Sequence, residues 1–178
     1  MSLWLVEANL TEENLKPFEV KGKAEGIQLK LEHSQSALVE VQFSKNFTQA
    51  FFIIEAEDVE LAKRIVEEEK FSVKLAKEVR LVGEELEKVK KEKDVVNYLV
   101  EWNLPEELTM DQYLTRKKQN SVHYEEVPEV EFARTYVCED MTKCLCFYDA
   151  PDEAAVTRAR EAVKAPVDSI TELRKDNE

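Results

Sequence analysis

Set against itself with a shift of 94 residues, this chain overlies its own sequence without a gap. Leu5-Val6-Glu7 falls on Leu99-Val100-Glu101, Asn9-Leu10 on Asn103-Leu104, and Glu12-Glu13 on Glu106-Glu107. Further along, Glu55-Ala56-Glu57-Asp58 meets Asp149-Ala150-Pro151-Asp152, Lys70 meets Lys164, and Glu78-Val79-Arg80 meets Glu172-Leu173-Arg174. One constant shift held over that span implies two copies of one supersecondary unit, and limits the fold to what two such units can build. The copies are read as residues 1–83 and 95–178. Between them, 84–94 is nearly all charge and reads as a polar connector with helical character.

The second copy is the clearer one. Residues 95–102 read as a strand, and Thr109 as the N-cap of a helix to about Glu126, with Met110, Tyr113 and Leu114 on its apolar stripe. Residues 131–138 and 142–149 are two strands about the polar turn Glu139-Asp140-Met141-Thr142. Pro151-Asp152-Glu153 opens a second helix that sets Ala155, Val156, Ala159 and Val163 on one face, and 168–174 is a last strand. The order βαββαβ is the ferredoxin-like arrangement. In the first copy 3–9, 37–43, 48–56 and 73–82 are strands and 57–69 a helix. Residues 14–34 carry Pro17, Gly22 and Gly26, which disfavour a helix, and Ile27, Leu29 and Leu31 alternate as in a strand. The repeat predicts a helix there, and the repeat is followed.

Phe51-Phe52-Ile53-Ile54 and Leu145-Cys146-Phe147-Tyr148 are apolar at every position, which predicts strands covered on both faces. The expected cover for the helix-free face is the sheet of the other copy. The fold class is therefore α+β: tandem ferredoxin-like repeats packed sheet-to-sheet as an intrachain pseudo-dimer, like a dimeric α/β-barrel and sufficient as a monomer.

A net charge of −13 repels phosphate backbones and anionic lipid, which argues against nucleic acid and membrane surfaces and leaves a cationic ligand, a metal or a basic protein. Met1-Ser2-Leu3-Trp4-Leu5-Val6-Glu7 has no basic start and no cleavage site, and no apolar run reaches spanning length, so the cytoplasm is the expected location. Three glycines in the whole chain exclude a glycine-rich phosphate cradle.

Chemistry-bearing residues are few. Cys144 and Cys146 share a strand face with Tyr148, while the facing of Cys138 depends on the hairpin register. Three thiolates can hold a soft metal, but zinc sites use four ligands with two-residue spacers, and small buried side chains are the plainer reading. His123 can join Glu125 or Glu126 at a metal, or simply be solvated at a helix end. Glu101 repeats as Glu7 and shares a face with Leu99, so its carboxylate needs a partner, Arg134 or Tyr136. That group is either an internal ion pair or a general base.

Tyr98-Leu99-Val100-Glu101, Thr135-Tyr136-Val137, Cys146-Phe147-Tyr148-Asp149-Ala150-Pro151-Asp152-Glu153, and Pro166 followed by Ile170-Thr171-Glu172-Leu173 resemble a bacterial family of small ferredoxin-like proteins. One branch of that family binds nickel, and the family brings no established enzyme activity. The resemblance covers the second copy and implies a ferredoxin-like fold that pairs sheet to sheet, with nickel or another divalent metal as a possible cofactor. It also implies that the nickel branch's histidine positions are occupied here by Trp102, the Lys117-Lys118 region and Ala159, with its cysteine kept as Cys146. Nickel prefers imidazole, so the resemblance implies a metal site lost or rebuilt, with His123, Cys144 and Cys146 as the remaining candidate ligands.

The reading from sequence is a non-catalytic ligand- or metal-binding protein. The alternatives are a small cofactor-independent enzyme using Glu101, Arg134, Tyr136 and His123 in a cavity between sheet and helix, or a protein-interaction module.

Overall fold

The structure of the chain, a computed structural model, describes residues 1–83, 85–91 and 95–174. Of the predicted connector, residue 84 and residues 92–94 lie outside the described residues, as do residues 175–178 at the end of the second copy. The chain divides into two compact units, one holding Met1–Val79, the other holding residues 95–174.

The first unit runs β1 (Ser2–Leu10), α1 (Pro17–His33), β2 (Ala37–Phe43), β3 (Gln49–Ala56), α2 (Val59–Glu68) and β4 (Phe71–Val82). Its strands lie antiparallel in the order β2-β3-β1-β4. A short helix, α3 (Leu86–Lys91), falls inside the predicted connector. The second unit runs β5 (Tyr98–Asn103), α4 (Met110–Asn120), β6 (Glu131–Cys138), β7 (Lys143–Asp149), α5 (Glu153–Ala162) and β8 (Ser169–Glu172), with strand order β6-β7-β5-β8. Each unit therefore has ferredoxin-like topology.

Local chemistry explains the elements. Residues 17–33 are helical despite their glycines, because Val20, Ile27 and Leu31 bury on one side and Pro17 occupies the first turn, where it loses no hydrogen bond. Thr109 caps α4: its hydroxyl accepts from the Gln112 N–H (3.2 Å) while the Gln112 side chain accepts from the Thr109 N–H (3.0 Å). Asp152 caps α5 by accepting from the Ala155 N–H at 2.8 Å. The helix expected to reach Glu126 ends as α at Asn120, and Ser121–Glu126 continues it as a 3₁₀ turn.

The two units agree in register at the same shift of 94 residues. Val6 pairs with Phe52 and Val100 with Cys146; Val41 pairs with Phe52 and Thr135 with Cys146. The irregularity in β2 between Leu38 and Glu40 recurs in β6 between Phe132 and Arg134. Turn chemistry agrees too. Asn46 accepts from the Thr48 backbone and hydroxyl as Asp140 does from Thr142. The residue inside each turn, Phe47 or Met141, is left-handed at φ 60°.

Each unit packs its helices on one face of its sheet. In the first, Val6, Phe52, Ile54 and Val66 belong to an all-hydrocarbon core, in which Phe52 meets Phe71 edge-on at 5.2 Å. In the second, Val100, Val137, Cys144, Cys146 and Tyr148 belong to the corresponding core with Tyr113, Val156 and Ala159. Leu99, Tyr136, Leu145 and Phe147 alternate to the other side of these strands and are also buried.

Candidate functional site

On the helix side of the second sheet the core is interrupted by polar groups, and they converge on one sulfur. Cys146, mid-strand in β7, sits opposite Thr135 of β6, and the Thr135 hydroxyl donates to its Sγ at 3.2 Å. Arg160, from the buried side of α5, donates from Nη1 to the same Sγ at 3.3 Å and to the Tyr148 hydroxyl at 3.1 Å. Its Nη2 donates to the Pro166 carbonyl at 2.6 Å. The residue is only 2% exposed, and its Nε has no hydrogen-bond partner among the described residues. Tyr148 and Tyr124 share a hydroxyl contact of 2.6 Å, with Tyr124 stacked on Phe132.

Of these, Cys146, Arg160 and Tyr124 border a pocket of about 40 Å³ between β7, α4, the 3₁₀ turn and α5, room for an ion or a small functional group. Trp102, Tyr113, Cys144 and Cys146 form part of its wall, and Lys117 and Arg160 bring positive charge inside. Arg116 and Lys164 add two exposed cations at the rim. No carboxylate lines it among the described residues. The Lys117 ammonium lies 4.4 Å from the Phe132 ring centroid, which holds it without neutralising it.

The thiols are driven apart electrostatically. Cys146 is held well below the ordinary thiol range by the Cys144 hydrogen bond and, against the cost of burial, by the charges of Lys117 and Arg160. Cys144 is pushed well up by donating to Cys146 and by burial. Burial works against the Arg160 charge, but attraction to Cys146 and the hydrogen bond to the Tyr148 hydroxyl outweigh it. Burial likewise raises Tyr113, Tyr124 and Tyr148.

The residues singled out from sequence are spread over three places. Cys144 and Cys146 do share a face and both line the pocket. Val137 pairs with Cys144, which turns Cys138 to the opposite face, where burial raises its thiol. His123 does not line the pocket; its side chain is 42% exposed and its Nδ1 lies 2.7 Å from Glu126 Oε2. Among the described residues no three His, Cys, Asp or Glu side chains are grouped to hold a metal. Glu101, Arg134 and Tyr136 are not in the pocket wall either. Arg134 is buried with its guanidinium 5.6 Å from the Phe147 ring, and Tyr136 meets the same ring edge-on at 6.0 Å.

Glu101 has partners that sequence reasoning did not name: Lys143 donates at 2.8 Å and the Ser169 hydroxyl at 2.9 Å. With about four-fifths of both side chains out of solvent, Glu101→Gln is expected to cost about 1–2 kcal/mol. In a double-mutant cycle Glu101→Gln with Lys143→Met should fall short of additivity by about 0.5–1.5 kcal/mol in urea unfolding. Strict additivity would mean that the pair does not stabilise the fold.

Arg160 and Thr135 are the site residues that sequence reasoning missed, while Lys117 was named only through the resemblance. A signal for both of the missed residues lies in the repeat. At the shift of 94 residues Arg160 stands where the first unit has Val66, and Thr135 where it has Val41. Val66 is fully buried. A cation at a position its duplicate fills with hydrocarbon is either a defect or a site.

Fold and pocket define an α+β protein of ferredoxin-like units with a small cationic pocket in the second. The chain is similar over nearly all its length to solved structures, among them the following two. One is TA0507, provisionally described as a chlorite dismutase: 11% identity, TM-score 0.61, covering 99% of this chain and 96% of that one. The other is provisionally described as a monooxygenase from Lactobacillus acidophilus NCFM: 11% identity, TM-score 0.52, covering 99% and 95%. At such identities the likeness is one of fold alone. Residues 98–173 match the family model described as SCO4226-like, nickel responsive protein, which is the resemblance seen in the second copy. No curated protein matches the chain.

Proposed function

We propose that this protein is a non-catalytic binding protein, a tandem duplicate of one ferredoxin-like unit, and that the pocket of its second unit takes a small anionic ligand in place of a metal. The recurrence of register, irregularity and turn chemistry at one constant shift supports the duplication. The observation that carries the ligand reading is the charge of the pocket: Arg160 and Lys117 inside and Arg116 and Lys164 at the rim, four cations against the one acidic thiol of Cys146, with no carboxylate among the described lining residues. A divalent cation roughly 5 Å from one such charge meets about 6–7 kcal/mol of repulsion at an effective dielectric near 20. A dianion meets the same term with the opposite sign and a monoanion half of it, and the unpartnered Nε of Arg160 offers either a donor. Trp102, Lys117 and Cys146, which the resemblance equates with metal-ligand positions, all border this pocket, so the reading is of one site with altered chemistry.

Titration calorimetry of untagged protein tests both halves. Nickel is expected to show no site tighter than roughly micromolar, about 8 kcal/mol. Phosphate or acetate should bind, and raise the thermal midpoint by several degrees at about 100 times its dissociation constant, where linkage supplies ~2.7 kcal/mol. Lys117→Ala should remove that response. A stoichiometric nanomolar nickel site, or no response to either oxyanion at about 10 mM, would overturn the reading.

A further inference from the structure

The pocket holds a second chemistry that anion binding does not use. We propose that Cys146 is held as a thiolate and is a site of oxidation by small hydroperoxides. Charge balance is the first argument. The buried Arg160 guanidinium touches Cys146, Tyr148 and the Pro166 carbonyl, with no carboxylate among them. A buried cation without a counter-charge is strongly disfavoured. Of its two ionisable contacts, a thiol loses its proton near ~8.5 and a phenol near ~10, so Cys146 is the group that supplies the charge.

Geometry is the second. Thr135 Oγ1 and Arg160 Nη1 both aim hydrogens at one sulfur, at 3.2 and 3.3 Å. Thiols are weak acceptors; two converging donors, one of them a guanidinium, suit an anion. Lys117 adds charge in the same sense, while Tyr113, Tyr124 and Tyr148 stay protonated through burial. The first unit is the internal control. At the shift of 94 residues Cys146, Arg160, Thr135 and Tyr148 correspond to Phe52, Val66, Val41 and Ile54, so hydrocarbon alone builds the same layer there. The fold does not require this polar set.

The reaction needs only a hydroperoxide, and the pocket admits one of small size. The Cys146 sulfur attacks the terminal peroxide oxygen; an S–O bond forms as the O–O bond breaks. Sulfur is oxidised by two electrons to sulfenic acid, and the leaving alkoxide or hydroxide takes a proton from solvent, giving an alcohol or water. Cys144 and Cys138 are less reactive: the first is the protonated donor, the second faces the other side of the sheet with its thiol raised by burial.

The test treats the full, reduced chain with hydrogen peroxide and traps sulfenic acid with a 1,3-dione, locating the adduct by fragmentation mass spectrometry. Cys146 should carry the label, and Cys146→Ser should abolish it. At pH 6.5 an ordinary thiol is only about 1% ionised, so even with the lower nucleophilicity of a low-pKa thiolate Cys146 should react roughly tenfold or more faster than Cys138. Its rate should be flat from about pH 6 to 8. Thr135→Val, nearly isosteric, should slow it several-fold and move its inflection to higher pH. A rate that climbs tenfold per pH unit up to pH 8, or preferential labelling of Cys138 or Cys144, overturns the proposal. The inference shares the pocket with the anion reading but not its premise: failure of phosphate to bind leaves it standing, and ordinary thiol behaviour at Cys146 defeats it alone.

Discussion

Arg160→Ala is expected to destabilise the second unit by about 3–4 kcal/mol. Three losses add. The truncation empties the volume of a side chain that is 2% exposed, removes the donor at 2.6 Å from the Pro166 carbonyl, and leaves Cys146 without the guanidinium that touches it. The last loss is capped, because the thiol can take up a proton instead of staying ionised. Offsetting them is relief from holding a guanidinium out of water, which is why Arg160→Met should cost only about 1 kcal/mol or less. Urea unfolding followed by Trp102 fluorescence, in a Trp4→Phe background so that the first unit is silent, reads this unit alone. Alanine costing under about 1 kcal/mol would mean that the cation is not part of the packed structure.

The stability of the second unit should also depend on pH through Cys146, and the sign is fixed. Its thiol is held well below the ordinary range in the fold, by the Cys144 hydrogen bond first and the Lys117 and Arg160 charges after it. Between the folded and unfolded values the unfolded chain carries a proton that the folded chain does not. Stability therefore rises with pH, by up to ~1.4 kcal/mol per unit, until the unfolded thiol ionises near ~8.5, and is lost as pH falls through the folded value. Cys144 works the other way. Its value is raised, so its contribution is complete below ~8.5 and is lost as pH rises beyond. Tyr113 and Tyr148 repeat that loss starting near ~10. The wild type should thus be most stable at about pH 8–9, and its advantage over Cys146→Ser should grow steadily from about pH 6 to that point. Carboxylates titrate alike in both proteins and cancel in the difference. A difference independent of pH would show that Cys146 is protonated throughout.

Much of the architecture was legible because it is repeated. Glu57 to Glu69, the two hairpins and the edge strands follow from periodicity and turn residues, and the repeat overrode propensity at 14–34, where tertiary burial of Val20, Ile27 and Leu31 outweighs two glycines. The shared face of Cys144 and Cys146 followed from strand period alone. The contact of Glu101 with Lys143 did not. On that face Lys143, one residue before a cysteine, reaches back to it, and neither register nor side-chain reach can be read from spacing.

What the sequence determined is the pattern that any compact form of this chain must satisfy: two βαββαβ units, where they turn, and which residues are apolar. It determined these because backbone period, caps and turn hydrogen bonds act over a few residues. Only the tertiary structure decided that Arg160 is a buried cation and not one more solvated arginine of α5. That outcome depends on Cys146 and Tyr148 of β7 and the Pro166 carbonyl just past α5 being brought around it, and the energy of a charge is set by everything that surrounds it in space.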